Sequence, residues 1–418
     1  MKIQPLLPIS CLLPVAGALH AGELKTEHFV PEPIRITLGD LPKPNENESV
    51  NKRPKVDPVP ESATLRAPDG FKVEVYADGV KNARWLALTP DGDVLLAQSK
   101  DDKISLLRDT DKDGKPDKNE TFGDKSNKLH MPFGMAFIDG YFYVGNTDAV
   151  RRYAWKSGQL KLDGEGEEIT KLPGKGYNEH WTRNVVASPD GKWLYVSVGS
   201  ESNVDPEESP RASVLRMKPD GSDRTVFAHG LRNPVGLAFQ PDTAELYTTV
   251  NERDKLGDGL VPDYFTRVKE GAFYGWPYTY LAPDNLDPRR TKDGKSEQPE
   301  LAAKTISPDL LFEAHSAALG VTFAKSGMFP EKYQNGAFVA FRGSWNRNQG
   351  TGYKITFIPF GEDHRPIGHY EDFVKGFLTD PAVPRTWGRP VGVLSLPDGS
   401  LLFTEEINGR LYRVSYVK

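Results

Sequence analysis

One unit of hydrophobic and polar positions recurs along the chain. It is a small or apolar start, three apolar residues, a turn of Pro-Asp-Gly type and a second apolar run. It stands at Trp85-Leu86-Ala87-Leu88, with Thr89-Pro90-Asp91-Gly92 and Val94-Leu95-Leu96 after it. It returns at Gly134-Met135-Ala136-Phe137, at Asn184-Val185-Val186-Ala187 and at Gly236-Leu237-Ala238-Phe239. The last copies are Gly320-Val321-Thr322-Phe323, without the short turn, and Gly392-Val393-Leu394-Ser395 with Pro397-Asp398-Gly399. The starts lie 49, 50, 52, 84 and 72 residues apart. Two strands and a tight turn every fifty residues or so is the arithmetic of one four-stranded blade per repeat. The two long spacings leave room for a seventh blade. Residues 253–315, however, are rich in Pro, Asp and Arg and poor in apolar runs, which favours long loops. The pattern therefore predicts an all-β chain, a six-bladed β-propeller of four-stranded antiparallel blades. No segment carries a convincing helical period.

Composition narrows the partners. The 418 residues include 39 Gly and 34 Pro, a turn-rich share. An apolar content of 38% supplies a large core and excludes wholesale disorder. A net charge of −5 gives no field that would recruit nucleic acid. A single cysteine, Cys11, excludes a disulfide framework, a Cys-based metal cluster and a covalently attached c-type haem. Lys2, the Pro-broken apolar run Pro5 to Leu19 and the small residues Ala16-Gly17-Ala18 read as a secretory signal over residues 1–21. Cleavage after Ala18 or Ala21 removes Cys11. The alternative, a lipidated Cys11, has the poor lipobox Pro8-Ile9-Ser10 before it. The expected location is periplasmic or secreted, with no membrane span in the remaining chain. Residues 22–66 read as an extended Pro-rich arm, solvated or wrapped. The propeller domain follows over 67–418, with Gly70 to Tyr76 as its first alternating strand.

In a propeller, the residues just before each innermost strand face one mouth of the central channel. Those segments carry Arg84, His130, His180 with Arg183, Arg232 with Asn233, His315, and Arg389. A solvated rim would use Lys as readily as Arg and would not collect three of the 8 histidines. Arginine forks match carboxylates, so the ring predicts a site for a planar, multiply anionic ligand. Between the first two repeats, residues 109–120 match the twelve-residue calcium loop. Side-chain oxygens come from Asp109, Asp111, Asp113, Asp117 and Glu120, a carbonyl from Lys115, and Gly114 stands at the sharp turn. Strand-like flanks make it a structural staple on a hairpin; a solvated acidic loop is the bland alternative. Tyr274-Gly275-Trp276-Pro277-Tyr278 suits either a sugar platform or a packed turn. Glu252, Arg253 and Asp263 follow the fourth repeat's outgoing strand, where they could face the mouth. No phosphate loop, Ser-His-Asp spacing or His-Glu-x-x-His motif occurs.

Four runs carry a resemblance: Glu179-His180-Trp181-Thr182-Arg183, Gly230 to Gly236, Phe273-Tyr274-Gly275-Trp276-Pro277 and Gly343-Ser344-Trp345-Asn346-Arg347. They resemble the pyrroloquinoline-quinone-dependent sugar dehydrogenases, in the branch of sorbosone and soluble aldose dehydrogenases, over Ala67 to Lys418. The resemblance implies a quinone lying flat over the channel mouth and His180 as the base for the substrate hydroxyl. It implies Arg232, Asn233 and Arg389 beside the cofactor, with Arg84 and Arg347 as further candidate ligands. It also implies a calcium ion held partly by the carbonyls of Glu252 and Arg253, and Asp263 near the substrate. The partners would be a sugar or related alcohol or aldehyde and an external electron acceptor. Two departures stand out. Glu179 replaces an Asp before the base, and the fifth-blade lysine is absent, with only Arg342 and Arg347 in that stretch. The rival readings are a calcium-dependent lactonase-type hydrolytic propeller, which needs channel carboxylates where this mouth is basic, and a propeller binding module without activity.

Overall fold

The computed structural model describes residues 24–174, 180–325 and 327–417. The expected leader with Cys11, and Glu179, lie outside the described residues.

Six antiparallel sheets of four or five strands follow one another along the chain. The first is Ala83–Leu88, Val94–Gln98, Lys103–Arg108 and Lys118–Gly123; the second is Met135–Ile138, Tyr141–Gly145, Ala149–Ala154 and Glu167–Lys171. Val185–Ala187, Leu194–Val198, Ser213–Met217 and Thr225–His229 make the third. The fourth is Pro234–Phe239, Leu246–Val250, Pro262–Arg267 and Leu310–Ala314. The fifth runs Ala318–Phe323, Gly336–Phe341, Lys354–Pro359 and Tyr370–Val374, with Pro33–Ile34 on its edge. The sixth begins with Pro390–Ser395, Leu401–Glu405 and Arg410–Tyr416 and takes Phe71–Ala77 as its outer strand. The alternating segment before the first repeat therefore completes the last sheet, with Val73 opposite Val414.

The first strands of neighbouring sheets touch in order, and the sixth touches the first, which closes a ring of β-propeller type. The glycine that opens four of the six repeats has its cause here. A Cβ on Gly320 would lie 2.5 Å from the Val391 carbonyl oxygen, and one on Gly392 2.4 Å from that of Arg84. Each contact joins one sheet's inner strand to the next, so any side chain would wedge the ring open. Hydroxyls bridge seams of this kind: Thr249 Oγ1 donates to Leu319 O at 2.6 Å, and Thr404 Oγ1 to Arg84 O at 2.8 Å.

The long spacing after the fourth repeat is loop. Between Pro262–Arg267 and Leu310–Ala314 lie a two-stranded hairpin, Thr291–Lys292 with Lys295–Ser296, and the single helical turn Pro299–Ala302. The arm is wrapped. Lys25–Phe29 pairs in parallel with Thr64–Pro68, and Lys55–Val56 pairs with Arg385–Thr386. No helix among the described residues is long and apolar enough to cross a membrane.

Phe71 locks the sixth sheet's outer strand to its neighbours. The ring is buried and meets Phe329, Tyr333 and Phe373 edge-on, with centroids 4.9, 5.2 and 5.0 Å away. Phe71→Ala should lower stability by about 3–5 kcal/mol, read as a shifted urea midpoint at unchanged slope. A loss under about 1 kcal/mol would show that this strand does not hold the ring closed.

Candidate active site

A cavity of about 600 Å³ opens where the loops before the first strands converge. His180, Arg232 with Asn233, His315, Arg389 and Arg84 all line it, each from the segment at or before an inner strand. Asp263 and Glu252 reach it from the fourth sheet.

His180 is fixed by its own sheet. Its Nδ1 lies 2.7 Å from the Ser200 carbonyl oxygen, which can only accept, so Nδ1 carries the proton and Nε2 keeps a lone pair. Burial, then the nearby Arg232 charge, pushes the imidazole down to about 3. Arg183, expected at the mouth, is instead wholly buried beneath this loop. It donates to the carbonyls of His180 at 2.7 Å, Thr182 at 2.8 Å and Pro173 at 2.5 Å. It holds the backbone of Pro173, His180 and Thr182 and does not line the cavity.

The arginines divide into two groups. Arg232 spends its donors on the protein, on the carbonyls of Asn203 at 3.1 Å and Glu252 at 2.7 Å and on Asp254 at 3.2 Å. It offers charge and a planar face rather than a free fork. Burial raises Asp254, yet Arg232, His315 and Asn346 overrule that and hold it at about 2. Arg84, Arg342 and Arg389 form the second group around buried Glu406, which pairs directly with Arg84 and Arg342. Burial raises Glu406, but Arg342, Arg84 and Arg389 together hold it far below the usual carboxylate range. Arg389 is pushed down to about 9 by burial and by Arg342. Three guanidiniums against one carboxylate leave this group short of negative charge.

Burial raises Glu252 to about 7 and Asp263 to about 6. Asp263 accepts the backbone N–H of Glu252 at 2.9 Å and of Ala317 at 2.7 Å, so it also ties the fourth sheet to the fifth. Several buried polar atoms of the cavity residues have no protein partner: Arg84 Nε, Asn233 Oδ1, Glu252 Oε1 and Asn346 Oδ1. Unsatisfied donors and acceptors of both kinds around an arginine-rich cleft fit a planar, polar, carboxylated ligand.

Other expected members lie elsewhere. His130 pairs with Asp148 at 2.9 Å over a separate surface dip with Lys125, Lys128 and Arg151, so the second sheet adds no imidazole to the cavity. Arg347 donates to Ala314 O at 3.0 Å and faces Asp258, outside the cavity lining; Arg342 stands there in its place. The Arg253 side chain pairs with buried Asp287 at 3.0 Å. The aromatic run is a packed turn, with Trp276 Nε1 donating to Asn203 O at 2.9 Å. Sequence reading missed Asp254, Asn251 and, on the arm, Arg53 in the cavity lining, and Glu406, which pairs with two of the lining arginines. Of these, Asp254, Asn251 and Glu406 follow outgoing strands. Glu252 had already marked that end of the sheet, so the same position in the sixth repeat was a usable signal.

The acidic loop joins two paired strands and gathers three of its five expected carboxylates. Carboxylate oxygens of Asp109, Asp111 and Asp113 lie within 4.8 Å of one another. Asp117 instead accepts Thr110 N at 2.7 Å, and Glu120 stands in Lys118–Gly123 opposite Leu106. An extended strand advances more than 3 Å per residue, which carries Glu120 away from a centre that a helix would have returned to. The Gly114 carbonyl accepts Arg413 Nη1 at 2.8 Å, so the loop also braces the sixth sheet. The trio suits a hard cation with water completing its shell.

Two outcomes follow. Chelation should lower the melting temperature of quinone-free protein, and Asp109→Ala with Asp113→Ala should remove that response; an undiminished response would place the stabilising ion elsewhere. In ligand-free protein the His180 ring, followed by NMR of labelled imidazoles, should remain neutral at about pH 5, since its depressed pKa defers protonation below the usual 6.5. A midpoint near 6.5 would remove the burial argument.

The TrAA12-like family model matches residues 65–262 and 266–417. An uncharacterized protein of Borreliella burgdorferi is 27% identical over 376 residues, 85% of this chain and 92% of that protein. A pyrroloquinoline quinone-dependent pyranose dehydrogenase of Coprinopsis cinerea is 25% identical over 232 residues, 46% of this chain and 31% of that one. Among solved structures, the calcium structure of the Trichoderma reesei enzyme of carbohydrate-active family AA12 superposes with a TM-score of 0.71 at 18% identity, covering 87% of this chain and 98% of that one. The holo form of the Coprinopsis pyranose dehydrogenase quinone domain gives 0.67 at 18% identity, with the same coverage. At these identities the structures attest a shared fold, and the family match extends through both halves of the ring. The chain thus belongs to the TrAA12-like family, in keeping with the quinone-dependent sugar dehydrogenase motifs around His180, Arg232 and Trp345.

Proposed function

We propose that this protein is a quinoprotein oxidoreductase, a six-bladed propeller that oxidises a sugar or related alcohol or aldehyde with pyrroloquinoline quinone in the central cavity. The observation that carries the reading is the pairing of an oriented, neutral imidazole with an under-neutralised guanidinium cluster across one cleft. Arg84, Arg342 and Arg389 would hold the carboxylates of the quinone, with Asn233 and the face of Arg232 beside it. Held there, the quinone would supply a two-electron acceptor for the substrate, with an external acceptor needed to reoxidise it.

The remaining chemistry belongs to the chain. His180 Nε2 takes the proton of the substrate hydroxyl as the carbon–hydrogen bond breaks, so one proton and one hydride leave and a carbonyl forms. Ser200 keeps the opposite ring nitrogen protonated, which prevents the wrong tautomer. Asp263 acts through position, holding the Glu252 and Ala317 backbone beside the reacting group. Calcium is proposed in two places: at the Asp109–Asp113 loop, and near the Glu252 carbonyl, whose buried carboxyl oxygen has no partner. Export by the leader over residues 1–21 would place the enzyme beside an acceptor outside the cytoplasm. A calcium hydrolase needs carboxylates converging in the channel. Among the described residues, the trio close enough to share an ion lies on the hairpin loop.

The test adds the quinone and calcium to purified protein and follows dye reduction with a panel of sugars. His180→Ala should still take up the quinone, seen by its absorbance, yet turn over at least about a hundredfold more slowly. Arg342→Gln should weaken quinone affinity by about one to two powers of ten, and excess quinone should restore its rate. Wild-type turnover in quinone-loaded His180→Ala, or no quinone uptake by the wild type, would overturn the reading.

A further inference from the structure

The N-terminal arm does not merely circle the ring. Residues 45–53 cross the mouth, held at each step: Asn45 N donates to Leu256 O at 2.7 Å, and Gly257 N to Ser49 Oγ at 2.9 Å. Lys52 N donates to Trp345 O at 2.9 Å, and Lys55 N to Pro384 O at 2.9 Å. Arg53 therefore sits between two anchored residues, and it lines the central cavity. A second hollow of about 460 Å³ lies under the arm and shares Asp254, His315, Trp345 and Asn346 with the first. The arm is thus a wall of the site.

Two features on this wall are unused. Arg84, Arg232 and Arg389 are buried, and with Arg342 all are engaged with carboxylates or carbonyls. Arg53 is exposed, and among the described residues its guanidinium has no hydrogen-bond or ion-pair partner. Beside it, Trp345 is one of the few large apolar side chains left exposed, and it borders both hollows. A free planar fork suits a carboxylate, and an exposed indole face suits the C–H face of a sugar ring. Both line the central cavity and both are exposed, unlike the buried Arg84 and Arg389 assigned to the cofactor.

We propose that Arg53 and Trp345 form a subsite for a sugar acid, a ring-form sugar that carries a carboxylate, so that the arm selects acidic over neutral substrates. This deepens the reading of the cavity as a sugar-oxidising site and rests on it for the reaction, though not for the binding. Calorimetric titration of the full chain, with and without the quinone, compares galacturonate with galactose. The wild type should bind galacturonate about tenfold more tightly at low salt, and Arg53→Gln should erase that difference while leaving galactose unchanged. Trp345→Leu should weaken both sugars alike. Arg53 is exposed, so Arg53→Gln should keep the wild-type melting temperature. A wild type without preference, or an Arg53→Gln variant that keeps it, overturns the subsite. So does a loss of quinone affinity in Arg53→Gln with the sugar preference intact, which would give the guanidinium to the cofactor. If the preference holds but no sugar is oxidised by quinone-loaded protein, the redox reading fails and the acidic-sugar site stands. If galactose is oxidised and Arg53→Gln changes nothing, the reverse is true.

Discussion

Guanidinium groups that crowd one cavity repel each other, and this site exists because carboxylates stand between them. Glu406 pairs with Arg84 and Arg342, and Asp254 neutralises Arg232. The partners come from different sheets: Arg84 from the first, Arg342 from the end of the fifth sheet's second strand, Glu406 from the end of the sixth sheet's second strand. The ion pairs that assemble the cavity therefore also stitch the last sheets to the first. Removing Glu406 would leave buried cations without a counter-charge, a cost far above that of losing a surface pair. Site and ring closure share one interaction.

That pairing requires the inner strands to come close, and glycine permits it. At Gly320 and Gly392 the next sheet's carbonyl lies where a Cβ would stand. The seam hydroxyls of Thr249 and Thr404 then satisfy carbonyls that a tight ring would otherwise bury unpaired. A narrow ring brings the loop ends within side-chain reach of one another. Backbone packing at the axis thus sets the spacing of charged groups at the mouth.

The same physics decides what the sequence disclosed. The repeat was legible because glycine, an apolar strand and a Pro-Asp-Gly turn are each forced by one local geometry. The mouth histidine of the third repeat and the arginines of the first, fourth and sixth were legible because each sits in the short segment just before that start. His130 sits in such a segment too, but Asp148 draws its ring away to the surface. A motif does not say which of two arginines in a loop turns inward, and Arg342, not Arg347, lines the cavity. Glu120 fitted a helical calcium loop, and a strand carried it off. Arg53 was invisible for a different reason. The arm has no period, and only the tertiary path of 45–55 over Leu256, Trp345 and Pro384 brings it to the cavity.

The distribution of roles around the ring has a consequence for how the site can work. His180 and the Ser200 carbonyl that orients its ring both flank inner strands of the third sheet, and Arg183 holds the His180 carbonyl. Their geometry is set within one sheet and does not depend on ring closure. The cation cluster is the opposite case, since Arg342, Arg389 with Glu406, and Arg84 arrive from the fifth, sixth and first sheets. A ligand seated among them binds three sheets at once and so favours the closed ring, coupling occupancy to stability by mass action. The arm crosses over the fourth and fifth sheets, between these two halves, where Asp254, His315 and Trp345 meet it. The imidazole is preorganised, the cation cluster is assembled by closure, and the wall between them comes from the N-terminal arm. Specificity can then vary along the arm without disturbing the tautomer of His180 or the charge balance at Glu406.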